Sequence, residues 1–262
     1  MTEPAPFTTL PGAADNPVIL HVPHSSSRIP ADARESILLD EHAMAAELAR
    51  MTDSHTDVLA HEAAGDAWLF INQCSRLVVD PERFPDDREE MNAVGMGAVY
   101  TATSQRETLR LPDAQRDARL IQKYFHPYAQ ALTDLVDERL ARCGRAVILD
   151  IHSYPAEPLP YELHTDLRRP AICLGVDDMH TPTWLVGAAR ELLGPVGECL
   201  VNEPFIGTYV PLKHYGNDAR VASIMVEIRR DIYCERDGSL SSGRRDLVKA
   251  LAQFVRSCHP PN

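Results

Sequence analysis

Long apolar runs are missing from this 262-residue sequence. No stretch approaches the roughly 20 consecutive apolar residues that a bilayer-spanning helix needs. The opening Met1-Thr-Glu-Pro-Ala-Pro6 has neither the charged start nor the apolar middle of a secretory signal. The expectation is a cytoplasmic chain with no membrane partner. Basic charge is also scarce: 26 Lys and Arg against 38 Asp and Glu leave a formal net charge of -12. That argues against nucleic acid or an anionic membrane surface as the main partner, since both need a basic face, but not against a small anion held by a few arginines. The six cysteines (Cys74, Cys143, Cys173, Cys199, Cys234 and Cys258) contain no C-x-x-C pair. They read as reduced, buried small hydrophobes, not as a disulfide frame or a thiolate zinc site. Two catalytic signatures are absent as well. His61-Glu-Ala-Ala-Gly65 lacks the second histidine of H-E-x-x-H, and no G-x-S-x-G elbow occurs. Only Ser25 to Ser27 beside His24 leave a serine nucleophile as a minor alternative.

What the sequence does contain is alternation. At 44% hydrophobic residues the chain can bury a full core, and 1–262 is expected to form one domain with a loose leader over 1–16. Short apolar runs read as strands at Val18–Val22, Trp68–Ile71, Leu77–Val79, Ala146–His152, Ala171–Gly175, Cys199–Val201 and Val221–Ile228. Helical patterns run over 41–51 behind the N-cap Asp40, over 113–144 with Gly144 as its stop and Pro127 as its expected break, over 183–193, and over 243–258. Residues 84–111 lose all periodicity and are too long for an ordinary connection, so an active-site loop or lid is expected there. Strands alternating with helices, without internal repeats, call for a three-layer α/β/α fold around a mostly parallel, mixed sheet.

The chemistry-bearing residues sit where strands end. Val18-Ile-Leu-His-Val-Pro-His24 and Ala146-Val-Ile-Leu-Asp-Ile-His152 both run apolar residues into a histidine followed by serine. The carboxyl edge of such a sheet is where ligands bind. A lone buried histidine is more often a satisfied core residue; two at matching junctions point to a shared metal. A catalytic zinc site wants three protein ligands and an open position, and Asp53 is the third candidate. Asp53 and Asp57 stand four apart, which would put both on one helical face. Glu227, inside the apolar run Ile224-Met-Val-Glu-Ile228, is either ion-paired with Arg229 or Arg230 or acts as a general base. Arg76 and Arg83 either pair with Asp80 or present a guanidinium to a carboxylate or oxyanion.

Six blocks in order carry a resemblance: Pro23-His-Ser-Ser-Ser-Arg-Ile-Pro30, Thr52-Asp-Ser-His-Thr-Asp57, Ser75-Arg-Leu-Val-Val-Asp-Pro-Glu-Arg83, Asp150-Ile-His-Ser153, Lys213-His-Tyr-Gly216 and Val226-Glu-Ile-Arg229. Across about residues 18 to 233 the chain resembles the N-formylglutamate amidohydrolases. The resemblance implies a zinc hydrolase of the carboxypeptidase-like phosphorylase/hydrolase architecture, cleaving N-formyl-L-glutamate to formate and glutamate in histidine breakdown. It implies His24, Asp53 and His152 as metal ligands, with His55 or Asp57 as possible substitutes for Asp53. Glu227 would be the base, and Arg76, Arg83, Lys213, His214 and Tyr215 the substrate contacts, Arg83 also serving the oxyanion. The metal would be Zn2+ or another divalent ion. The partner would be a small anionic N-acyl amino acid, and the state a monomer or small homo-oligomer. The chain departs from the family pattern Asp-x-Asn-Arg at Glu82, from Arg-His-Tyr-Gly at Lys213, and in the loop Asn92 to Tyr100. These touch substrate contacts more than metal ligands. The rival readings are another N-acyl amino acid deacylase, a small metallocarboxypeptidase, and a non-catalytic metal-binding protein with Glu82 plugging the site.

Overall fold

The computed structural model of the chain describes residues 5–163 and 165–258. In chain order the elements are β1 (Phe7–Leu10), β2 (Val18–Val22), α1 (Ala31–Arg34), α2 (Glu41–Met51), α3 (Thr56–Ala63) and β3 (Trp68–Asn72). They continue with α4 (Ala114–Leu120), α5 (His126–Cys143), β4 (Ala146–Tyr154), β5 (Ile172–Gly175), α6 (Thr183–Leu193), β6 (Cys199–Val201), β7 (Val221–Arg229) and α7 (Arg244–Ser257). The seven strands form one sheet in the order β1-β3-β2-β4-β7-β5-β6. Pairs β2–β3, β2–β4, β4–β7 and β5–β6 are parallel, while β1–β3 and β5–β7 are antiparallel. The expected mostly parallel, mixed sheet is the one found.

Side chains alternate across a strand, and this alternation builds the two outer layers. Val18, Leu20 and Val22 of β2, Leu149 and Ile151 of β4, and Val226 and Ile228 of β7 pack on one face against α3, α6 and α7. Ile19, Ile148 and Val221 face the other way, onto Tyr128, Leu132 and Val136 of α5. On that second face the pattern changes along the strands. In β4, Ala146 and Ile148 are followed on the same side by Asp150 and His152; in β7, Val221 is followed by Ser223, Met225 and Glu227. The apolar amino-terminal half is sealed by α5, and the polar carboxyl-terminal half is left to line cavities.

Several local expectations need correction. Phe7–Leu10 is not part of a loose leader but an edge strand, paired antiparallel to β3, with Phe7 stacked on Phe70. Leu77–Val79 is not a strand. These buried residues form a turn, with Leu77 in one small core beside Met96 and Tyr100 and with Val78 and Val79 in another beside Leu120 and Tyr124. The helix over 113–144 does not break at Pro127. Its five residues Ile121–Phe125 widen into a π-turn between α4 and α5, which places Pro127 in the first turn of α5, where a missing amide hydrogen is tolerated. Gly144 ends α5 as expected, at φ 73° with its N–H on the Leu140 carbonyl. Asp40 likewise caps α2, accepting from the Ala43 amide at 2.8 Å.

The irregular stretch 84–111 holds one short 3-10 turn, Glu90–Val94, yet it is packed. Met91, Met96, Tyr100 and Leu109 are buried with Ile37, Met44 and Met51. The guanidinium of buried Arg110 fastens it, donating to the carbonyls of Tyr100 and Leu77 and to Ser36 Oγ. No disulfide joins the six cysteines. Among the described residues no helix is long and apolar enough to cross a membrane.

Candidate metal centre and catalytic pocket

His24 leaves the sheet two residues beyond Val22, its direction set by Pro23, whose carbonyl accepts from Asn72 Nδ2 at 2.8 Å. Its own carbonyl accepts the Asp53 N–H at 3.0 Å, which ties the Thr52–His55 turn to the end of β2. His55, in the left-handed region at φ 65°, then starts α3. Asp53 therefore precedes the helix that carries Asp57, and the two do not share a helical face. Thr56 Oγ1 fixes the turn by donating to the Asp53 carbonyl at 2.8 Å. His152, on β4, reaches the same point from the adjacent strand.

Three buried atoms converge there. His24 Nδ1 lies 3.3 Å from His152 Nδ1, His152 Nδ1 lies 3.2 Å from Asp53 Oδ2, and His24 Nδ1 lies 3.8 Å from that oxygen. A point about 2.0 Å from all three closes this triangle, which is the length of a zinc bond to imidazole or carboxylate. Nitrogen and oxygen donors of this type suit a divalent ion, and the three residues form one candidate metal group. His55 and Asp57 stand outside it: His55 Nε2 bonds to the Gly238 carbonyl at 2.9 Å.

The far side of each imidazole meets a carboxylate. His24 Nε2 is 3.0 Å from Asp80 Oδ1, and Asp80 Oδ2 accepts from Arg76 Nη2 at 2.7 Å and from the Tyr100 hydroxyl. Burial pushes the Asp80 carboxyl up, but the Arg76 and His24 charges outweigh it and hold it well below the usual carboxylate range. His152 Nε2 is 3.0 Å from Asp150 Oδ1. Burial pulls the His152 imidazole down, while Glu82 and Asp150 carry it well above the ordinary histidine value. In Asp53, desolvation is outweighed by the hydrogen bond from His152 and the neighbouring cations, which lower its pKa.

Glu227 stands opposite His152 in the β4–β7 register. It is 9% exposed, and its Oε2 has no hydrogen-bond partner. Burial pushes its pKa up to about 8, against the pull of His152. The ion-pair reading finds no support: Arg229 is bound to Asp231, and Arg230 to Asp53, Ser153 and the Arg50 carbonyl. Arg76 is committed to Asp80 and Tyr100. Arg83 makes only looser contacts: its buried Nε has no hydrogen-bond partner and stands 3.7 Å from Asp80, and its Nη1 stands 3.7 Å from Glu89.

A cavity of about 500 Å³ contains His24, Asp53, His152, Glu227, Arg76 and Arg83 together. A neighbouring cavity of about 830 Å³ is lined by Lys213 and Tyr215 and shares Arg83 with the first. Lys213 Nζ is 2.5 Å from Asp137, and His214 is turned away, between Asp137 at 3.0 Å and Asp218 at 3.5 Å. Tyr215 stacks on His180. The Lys213–Gly216 block thus braces the second cavity and does not join the three ligands. His21, Asp150 and Tyr100 were not singled out from the sequence. The signal for Asp150 was its place two residues before His152, on the same strand face.

Residues 16–234 match the N-formylglutamate amidohydrolase family. Among solved structures, the chain is similar to the N-formylglutamate amidohydrolase of Ralstonia eutropha JMP134, with a TM-score of 0.79 at 23% identity and 96% of each chain covered. It is also similar to gene product Atu2144 of Agrobacterium tumefaciens, with a TM-score of 0.73 at 18% identity, covering 97% of this chain and 95% of the other. No protein of curated function matches by sequence.

Proposed function

Because the chain belongs to the N-formylglutamate amidohydrolase family, we propose that it hydrolyses the amide of N-formyl-L-glutamate or of a close N-acyl amino acid, in histidine breakdown or a kindred route. His24, Asp53 and His152 hold a divalent ion, zinc in the first instance. When bound, such an ion supplies the Lewis acidity that polarises a scissile carbonyl and acidifies water.

The remaining work falls to side chains of the pocket. Glu227 takes a proton from the attacking water and returns it to the departing nitrogen, so that the amine leaves neutral. Its unpartnered Oε2 and its raised pKa, near 8 through burial, suit a group that must both accept and give back a proton. Arg83, with an uncommitted Nε, receives the substrate's carboxylate or the oxyanion that develops on the carbonyl. Arg76 and Tyr100 hold Asp80, and Asp80 holds the His24 ring. The aromatic and apolar wall of Tyr154, Tyr161, Phe205 and Ile206 limits the water around the reacting atoms.

One observation carries this reading: Glu227, a buried acid without a partner, sits beside three converging metal-type donors. The deciding experiment is a hydrolysis assay on N-formyl-L-glutamate and on N-acetyl and peptide analogues, with and without added zinc. Metal-dependent release of formate supports the proposal. A chain that binds zinc stoichiometrically yet cleaves none of these substrates would refute it in favour of a binding protein.

A further inference from the structure

Glu82 occupies the junction of the two cavities. Both are lined by Glu82, Arg83, Ile206 and Met225. One carboxylate oxygen of Glu82 lies 3.3 Å from His152 Nε2 and 3.6 Å from His24 Nε2, on the side of each ring away from the candidate ion. The other oxygen is buried, 3.6 Å from His21 Nδ1, and has no hydrogen-bond partner. The cations nearby do not supply one. Arg88 is bound to Asp86, Lys213 to Asp137, and the closest carboxylates to Arg83 are Asp80 and Glu89.

A buried carboxylate oxygen without a donor is costly, and a ligand that brings a donor to it is favoured. A ligand that brings a second carboxylate meets like charge from Glu82 itself. Size bears only on the longer of such side chains, since a carboxamide is no larger than a carboxylate. The metal-side cavity of about 500 Å³ already falls in the range for drug-sized ligands, whereas N-formylglutamate has only about a dozen non-hydrogen atoms. The adjoining 830 Å³, walled by Phe84, Phe125, Tyr209 and Tyr215, is room for a longer side chain.

We infer that Glu82 sets substrate choice: the preferred N-acyl amino acid has a side chain that enters the second cavity and ends in a hydrogen-bond donor, a carboxamide or an ammonium, facing Glu82. This rests on the hydrolase reading above and narrows it. Arg83 then takes the α-carboxylate, and the adjacent residue reads the end of the side chain.

The test compares kcat/KM of the zinc-loaded chain for N-formyl-L-glutamate, N-formyl-L-glutamine and N-formyl-L-lysine. Dissociation constants of the same three compounds are measured by calorimetry on the Glu227→Gln chain. The unaltered protein is expected to favour glutamine or lysine over glutamate by at least about tenfold, and the glutamine and lysine arms tell amide from ammonium. Glu82→Gln should shift the ratio toward glutamate. Preference for glutamate by the unaltered protein, in turnover or in binding, overturns the inference whatever the variants do. If nothing is hydrolysed but the binding order holds, the hydrolase reading fails and the role of Glu82 stands.

Discussion

His21 and Asp150 face each other across the β2–β4 register, with His21 Nδ1 2.8 Å from Asp150 Oδ1. The same oxygen is 3.0 Å from His152 Nε2, and the Tyr209 amide donates to the other at 3.2 Å. One buried carboxylate thus stands between two imidazoles on neighbouring strands, hydrogen-bonded to His21 and in ion-pair range of His152, whose Nε2 has no hydrogen-bond partner. Asp150→Asn should weaken zinc binding by about 10- to 100-fold, as read by competition with a chromophoric chelator. Unchanged affinity would remove the positioning role.

Glu227→Gln keeps the shape of the side chain and removes the proton acceptor. The variant should bind one zinc per chain, by elemental analysis, while kcat for the best N-acyl substrate falls by about 10²- to 10⁴-fold. Full activity in that variant would overturn the assignment of the base.

Loss of one imidazole leaves two donors where a catalytic zinc site wants three. His24→Ala and His152→Ala should each lose bound zinc after dialysis against a mild chelator, and hydrolysis with it. His55→Ala should keep both, because its ring is spent on the Gly238 carbonyl. Zinc retained by both alanine variants of the pocket histidines would mean that the ion sits elsewhere.

Alkali should find the core through its thiols. Burial pushes Cys173 and Cys258 up to about 12, while an unfolded thiol ionises near about 8.5. The folded pKa is the higher one, so this contribution to stability is complete below about pH 8.5 and is lost as pH rises toward about 12. The urea midpoint should fall steadily between pH 9 and 11, as stability drops by up to about 2.5 kcal/mol per thiol. At pH 8 an aromatic disulfide reagent should label these two thiols only as fast as the chain unfolds. Fast labelling of the folded chain would contradict their burial.

The inner strands were legible because runs such as Val147-Ile-Leu149 admit little else, and their ends were legible because His24, His152 and Glu227 break those runs with groups a core would not accept. Leu77-Val-Val79 misled for the same reason. Three apolar residues in a row look like a strand, but here two small cores claim them from a turn. Phe7–Leu10 went unseen because an edge strand needs only its partner β3, and prolines crowd both of its ends. The spacing of Asp53 and Asp57 suggested a helical pair, which the left-handed His55 between them undoes. The pairing of Asp150 with His21 depends on strand register, and register is a property of pairing between distant segments. His21 could not be matched to Asp150 from either stretch alone.

Arg110 has a consequence for the pocket it never touches. Its guanidinium grips the backbone of Leu77 and of Tyr100 at once, so the turn that carries Arg76 and Asp80 and the span that carries the Tyr100 hydroxyl are clamped to a common post. The aim of the His24 ring is decided in part by a residue outside the pocket and later in the chain. To the enzyme, a change there is mechanical detuning of an instrument whose working parts are all still in place.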